Sequence, residues 1–339
     1  MSFHLYQINE LYSNADGSIQ FIEMTVGSNN GENFWSGHSI TVGQGGTSHS
    51  FVFPADLPSQ LTANTKVLIA TQGFANLGIV SPDYIVPANF LFTDGGTVNY
   101  AGVDFLNYAQ LPTDGATSVN RNGATAMPSP TNFGGDTAAL SLISGGAGND
   151  ILHTRAGNDV IEGGGGVDTV EFSGNRINYM LTISASSDSV MDHVGSDGTD
   201  TLFNVERLQF TDAKLALDLD GNAGTTVKIL GAVFGAASVA NKEYVGIGLS
   251  LLDGGMPYET LMQFALDAAG ATTHAAEVNL LWTNLFGSPP TAEQAGPYVA
   301  LLDSGALSSG ALGVIAADSD LNKVNINLVG LQQTGIEYS

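Results

Sequence analysis

The sequence predicts a multidomain, mainly β protein that ends in a helical region, and three observations support this. The first part of the chain contains short runs of alternating apolar and polar residues separated by turn sequences, which is typical of a β-sandwich. A glycine-rich nonapeptide then repeats in unbroken register, and apolar residues later recur at helical spacing. The expected segments are a β-sandwich at 1–126, a linker at 127–135, a short parallel β-roll with capping strands at 136–222 and a helical domain at 223–339.

The N-terminal strand runs also carry a family resemblance. Segments 8–14 and 20–24 resemble the opening of lamin-tail domains, which are immunoglobulin-like β-sandwiches. The resemblance implies an immunoglobulin-like sandwich over residues 1–126. Glu10 and Glu23 lie in these segments, and a pair of carboxylates could serve acid–base catalysis. Their places at strand ends favour solvated or turn-binding carboxylates instead.

The glycine-rich repeats are the most regular part of the chain. Cut into nines, residues 145–171 read GGAGNDILH, TRAGNDVIE and GGGGVDTVE, and Ile143 falls nine residues before Leu152, which allows one degenerate coil ahead of them. The sixth position is always aspartate and the eighth is always apolar. Glycine permits the positive φ of tight turns and lets backbone carbonyls converge on a cation.

This Gly-Gly-x-Gly-x-Asp-x-apolar-x unit resembles the calcium-binding repeat of RTX (repeats-in-toxin) proteins. The resemblance implies a parallel β-roll with Ca²⁺ held between its turns. In such a roll six residues of each unit form a turn and three form a short strand, so that two units complete one coil. Ca²⁺ takes about six to eight oxygen ligands, which aspartate carboxylates and backbone carbonyls supply. The candidate ligands are Gly145, Ala147, Gly148, Asp150, Gly157, Asp159, Gly164, Gly166 and Asp168.

The two-unit coil predicts which aspartates can share an ion. The turns of Asp150 and Asp168 should lie on the same side of the roll, so these two carboxylates should bind one ion together. The turn of Asp159 should lie on the opposite side. Its partner turn could be segment 136–141 or segment 173–178.

Composition agrees with cation binding. The chain has 43 glycines in 339 residues, nearly twice the ordinary share of about 7%. Its 33 acidic residues against 9 lysines and arginines give a net charge of −24. Such a charge disfavours nucleic acid and anionic membranes as partners and attracts divalent cations. Because the chain has no cysteine, it can form neither disulfides nor thiolate metal sites.

Two features bear on cellular location. The sequence has no run of about 18 apolar residues that would span a membrane. Residues 1–13 lack the basic start and apolar core of an export signal. The resemblance to RTX proteins nevertheless implies a type I exporter, which reads an uncleaved C-terminal signal. We therefore expect an extracellular or cell-surface protein exported without a cleaved N-terminal signal.

The region after the repeats has two parts. The run 198–210 resembles the segment that closes many RTX rolls, where a cap is needed because the last coil exposes an unpaired strand edge. Segments 281–307 and 325–338 resemble an uncharacterised helical domain found at the C-terminus of many bacterial RTX-type secreted proteins. Start and stop residues predict three helices, between Pro257 and Gly270, Thr273 and Gly287, and Thr291 and Gly305.

No residue pattern points to catalysis. The six histidines are scattered, and the chain contains no His-Glu-x-x-His, Gly-x-Ser-x-Gly or phosphate-loop sequence. The favoured interpretation is a secreted calcium-binding surface or extracellular-matrix protein with a structural, adhesive or self-assembling role. Its partners would be calcium, the exporter, and either itself or cell-surface components. The alternatives are a secreted hydrolase with an unrecognised site in residues 1–126 and, less favoured, an RTX-type toxin, which would need long amphipathic or apolar helices.

Overall fold

A computed structural model describes residues 5–184 and 187–339. It contains two compact units. The first unit comprises the chain up to residue 147 together with 155–164, and the second comprises 148–154 together with 165–339.

The first unit is made of β-strands and one short helix. Its strands are β1 Gln7–Ser13, β2 Gln20–Thr25, β3 Ser39–Gln44, β4 Thr47–Val52, β5 Lys66–Thr71, β6 Tyr84–Val86, β7 Gly96–Tyr100, β8 Asp104–Tyr108, β9 Ser118–Asn120, β10 Thr125–Ala126, β11 Leu142–Ala147 and β13 Val160–Gly165, and its helix is α1 Gln72–Asn76.

The second unit begins with strands and ends largely in helices. Its strands are β12 Ile151–His153, β14 Thr169–Glu171, β15 Tyr179–Thr182, β16 Asp188–Asp192, β17 Thr199–Phe203, β18 Arg207–Gln209, β19 Lys214–Ala216 and β20 Ile336–Tyr338. Its helices are α2 Asn222–Phe234, α3 Lys242–Asp253, α4 Tyr258–Ala268, α5 His274–Phe286, α6 Ala292–Asp303, α7 Ser309–Ala317, α8 Asp320–Asn325 and α9 Leu328–Thr334.

Two β-sheets of the first unit share one apolar core. The larger sheet has the strand order β10-β9-β1-β2-β5-β6 and the smaller β4-β3-β7-β8. Alternate side chains of both sheets point into the core, among them Ile8 from β1 and Ile40 and Val42 from β3. Trp35 is fully buried there, with its ring 4.7 Å from that of Phe53. The N-terminal region is mainly β, as predicted, and its kinship with immunoglobulin-like domains stays a prediction.

Two buried glutamates attach the predicted linker, residues 127–135, to this sandwich. The backbone N–H of Ser129 donates to Glu10 Oε1 at 3.3 Å, and that of Thr131 donates to Glu23 Oε2 at 3.0 Å. Glu10 is 3% exposed and Glu23 is 0% exposed. Both side chains therefore bind backbone, as the turn-binding interpretation expects, and the solvated interpretation is wrong. The predicted places at strand ends are also wrong, because Glu10 and Glu23 lie within β1 and β2, opposite each other.

One five-stranded sheet of the second unit, with the order β12-β14-β18-β19-β20, contains the strands that follow the first and third repeat turns, β12 and β14. β12, β14 and β18 are parallel, whereas β18, β19 and β20 are antiparallel. Strands β15, β16 and β17 form an antiparallel meander. β20 lies inside the region expected to be helical, because a run of three residues is too short to show alternation in the sequence.

The predicted helix boundaries are confirmed. Pro257 directly precedes α4, and α5 lies between its N-cap Thr273 and Gly287, which has a left-handed conformation. At the start of α6, Thr291 and Gln294 form a reciprocal capping box. Among the residues that the structure describes, no helix is both long and apolar enough to cross a membrane.

Candidate metal centre

The turns that precede β12 and β14 lie one above the other in the second unit. The two strands pair in parallel register, with Leu152 beside Val170. The backbone N–H of Asp150 donates to Oδ1 of Asp168 at 2.8 Å, although the two residues are 18 positions apart. The carbonyl oxygen of Asp150 accepts the N–H of Thr169 at 2.9 Å. The same-side stacking predicted from two units per coil is therefore present.

Close stacking explains why Gly164 and Gly166 must be glycine. A Cβ on Gly166 would lie 2.3 Å from the carbonyl oxygen of Gly148, and Gly166 has a φ of +131°. In the first unit, a Cβ on Gly164 would lie 2.0 Å from the carbonyl oxygen of Gly146, at a φ of +103°. Both distances are well inside van der Waals contact, and both conformations favour glycine. Carbonyls of one turn thus pass directly against the glycines of the next.

The carboxylate of Asp168 keeps one oxygen without a protein partner. The side chain is fully buried, and its Oδ2 makes no hydrogen bond. A buried acceptor left unsatisfied costs about 1–3 kcal/mol, and more when it is charged. Burial raises the pKa of Asp168, as does the charge of Asp150, while the N–H of Asp150 acts in the opposite direction. A cation bound to Oδ2 would give this oxygen a partner and would balance the negative charges of Asp150 and Asp168. Carboxylate and carbonyl oxygens are ligands that fit Ca²⁺.

Glu206 is a site residue that the sequence analysis missed. The backbone N–H of Asp168 donates to Oε2 of Glu206 at 2.8 Å, across 38 positions of the chain. Burial raises the pKa of Glu206, and the charge of Asp168 raises it further. A signal was present, because Val205-Glu206-Arg207-Leu208 has the same apolar-acid-x-apolar order as 167–170.

Protein groups bind both carboxylate oxygens of Asp159, which lies in the first unit. Its Oδ1 accepts the hydroxyl of Ser141 at 2.6 Å, and its Oδ2 accepts the backbone N–H of Arg155 at 2.9 Å. The guanidinium Nε of Arg155 lies 3.4 Å from Oδ1. The N–H of Val160 also donates to the carbonyl of Ser141 at 2.8 Å. Segment 136–141 therefore provides the neighbouring turn, and Arg155 brings a positive charge where the other repeats have glycine.

The other predicted ligands contribute backbone only. Gly145 and Ala147 lie in β11, and Gly157 has a φ of +99° with no atom in the way of a Cβ. Among the described residues, no group of three or more histidine, aspartate and glutamate side chains could hold a metal ion. An ion at Asp168 would therefore take most of its oxygens from backbone carbonyls and water.

Comparison with known protein families agrees with this geometry. The family model of the RTX calcium-binding nonapeptide repeat (4 copies) matches residues 142–171. The chain thus carries RTX calcium-binding repeats, and the match starts ahead of Gly145, in keeping with a degenerate coil before the first full unit. A comparison with curated proteins gives no significant match.

Proposed function

We propose that this is a secreted protein whose repeat turns form a short β-roll that folds on calcium binding after export. The observation that carries the proposal is the buried Oδ2 of Asp168, which lacks a partner inside a segment that matches calcium-binding repeats. Asp150 and Asp168 would hold one ion through their carboxylates. The carbonyls of Gly148 and Gly166 would add backbone oxygens from the same two turns.

Calcium concentration would control the folding of the roll. With a dissociation constant of about 10⁻⁴ M and about 1 mM calcium, one site stabilises the folded state by about 1.4 kcal/mol. At the low calcium of the cytosol this gain vanishes, and the carboxylates of Asp150 and Asp168 repel each other. An exporter that passes unfolded chains would then receive an open roll, and a chain without cysteine cannot cross-link early.

The sandwich supports a surface or matrix role. β4 and β8 are the edge strands of the smaller sheet. Val52, in β4, is 58% exposed and Phe105, in β8, is 54% exposed. Unpaired strand edges with exposed apolar side chains can pair with strands of another chain. We infer that this sheet mediates adhesion or self-assembly.

Isothermal calorimetry on the full chain tests the calcium binding. Calcium should give a saturable binding isotherm, whereas magnesium should bind far more weakly because it demands a rigid octahedral shell. Equal binding of the two ions, or no calcium binding, would contradict the proposal.

Truncation tests the export route. A chain lacking residues 280–339 should stay inside the cell, because a type I exporter reads a C-terminal signal, whereas a chain lacking residues 1–126 should reach the medium. The measurement is the amount of each chain in cells and medium. Normal secretion of the C-terminally truncated chain would point to another route.

A further inference from the structure

Strand β18 repeats, one coil further on, the contacts that join the two stacked turns. The N–H of Asp150 donates to the carboxylate of Asp168, and the N–H of Asp168 donates in the same way to the carboxylate of Glu206. The carbonyl of Asp150 accepts the N–H of Thr169, and the carbonyl of Asp168 accepts the N–H of Arg207 at 3.0 Å. The same two kinds of hydrogen bond therefore join Glu206 and its neighbour Arg207 to Asp168 as join Asp168 and its neighbour Thr169 to Asp150.

This row of carboxylates has little compensating positive charge, because the charge of Arg207 lowers the pKa of Glu206 but acts against the larger effects of burial and of the neighbouring carboxylates. Among the described residues, no ion pair includes Asp168 or Glu206. Arg207 follows Glu206 directly, but its guanidinium bonds to Asp218 and to both oxygens of Asp253, the latter at 2.9 and 3.0 Å. The guanidinium of Arg207 is thus bound by other carboxylates.

We propose that Asp168 and Glu206 hold a second calcium ion on the same side as the ion of Asp150 and Asp168, so that the closing strand completes a site as well as capping the roll. The inference rests on the proposed calcium binding of the stacked turns. A carboxylate offers about four lone-pair directions, so Asp168 can serve an ion on each side. Its Oδ1 accepts the N–H of Asp150, whereas its buried Oδ2 has no protein partner, so Oδ2 can bridge the two ions.

The turn before β18 has the same length as the turns before β12 and β14. β17 ends at Phe203 and β18 begins at Arg207, which leaves three residues, and three residues likewise separate β11 from β12 and β13 from β14 along the chain, not the six expected from the sequence. Asn204, the first residue of its turn, has a positive φ of +50°, as do Gly148 and Gly166 at the same place in theirs. Glu206 takes the third place of its turn, as Asp150 and Asp168 do in theirs.

Calorimetric calcium titration of the full chain tests the inference. Glu206→Gln keeps an oxygen that can accept the N–H of Asp168 but removes the charge, so it should bind one ion fewer per chain than the wild type. Glu293→Gln, the same change at an exposed position of α6, should bind the wild-type number. An unchanged ion number and affinity in Glu206→Gln would overturn this inference and leave the proposed calcium binding intact. A wild-type chain that binds no calcium would overturn the proposed function itself.

The variants Asp168→Asn and Asp150→Asn test the second calcium ion even if Glu206→Gln fails to fold. Asp168 would serve two ions and Asp150 only one. Asp168→Asn should therefore lose one more ion per chain than Asp150→Asn, with far-UV circular dichroism at saturating calcium reporting the fold of each. Equal losses in the two variants would overturn the inference.

Discussion

The sandwich of residues 5–126 and the stacked turns of residues 145–171 are both β structure, but different forces stabilise their strands. The sandwich strands enclose a core of large side chains around the fully buried Trp35. β12 and β14 have three residues each, and each buries a single apolar side chain, Leu152 or Val170.

This difference in buried apolar surface predicts that the sandwich can fold alone and that the stacked turns cannot. Burying one aliphatic side chain contributes about 1.5–3 kcal/mol. Ordering each residue of a turn costs about 1–2 kcal/mol, and glycine loses the most freedom. Burial in a nine-residue unit with one buried side chain therefore contributes less free energy than the ordering of the unit costs, and we expect bound ions to supply the difference. The stability of the sandwich should not change with calcium concentration, whereas the stability of the stacked turns should.

The largest effect is expected from Asp168→Ala. If Asp168 serves two ions, this change removes about 3 kcal/mol of calcium-dependent stability at about 1 mM calcium, and Asp150→Ala removes about half as much. Asp159→Ala is the matched control, because Ser141 and Arg155 already engage both of its oxygens. The quantity to measure is the difference in unfolding free energy between calcium and chelator. If Asp159→Ala has the largest effect of the three, the same-side stacking account is wrong.

Alanine substitutions at Gly166 and Gly157 are expected to give the next largest effect, on the calcium concentration needed for folding. Gly166 and Gly157 both have a positive φ, so alanine at either position carries a backbone penalty of about 1–2 kcal/mol. Only at Gly166 would the new methyl group also meet the backbone of the adjacent turn, 2.3 Å away. Gly166→Ala should therefore shift the calcium midpoint measured by circular dichroism to higher concentration than Gly157→Ala does. Identical midpoints would show that the turns do not stack this closely.

The smallest expected effect is a change in the stability of the sandwich with pH. Burial raises the pKa of Glu10, and the charge of Glu23 raises it further. Because the folded state holds this proton more tightly than the unfolded state, the sandwich should gain stability as the pH falls from 7 toward 5. Urea unfolding in chelator, followed by Trp35 fluorescence in a Trp282→Phe chain, measures this. Glu10→Gln should flatten the response, and a loss of stability over the same pH range would contradict the account.

Much of the fold follows from local sequence signals. Alternating runs predicted β1 to β5, and capping residues predicted α4, α5 and α6, because these elements are specified by neighbours in the chain. The nonapeptide period predicted that Asp150 and Asp168 stack, since a regular coil converts spacing directly into position.

The missed features depend on contacts between distant parts of the chain. Glu206 lies 38 positions beyond Asp168, after a meander that breaks the period, so spacing could not place it in the stack. Arg155 marks a departure from the repeat, but only the structure shows its guanidinium beside Asp159. The burial of Glu10 likewise depends on segment 127–135, which its sequence alone identifies as a loop.

Hydrogen exchange with and without calcium tests most directly the claim that the ions hold the stacked turns together and that the sandwich does not need them. We expect amides of residues 145–171 to exchange rapidly in chelator and to become protected when calcium, but not magnesium, is added. Amides of β1, β2 and β5 should be equally protected under all three conditions. Protection of residues 145–171 that is the same in chelator and in calcium would contradict the account.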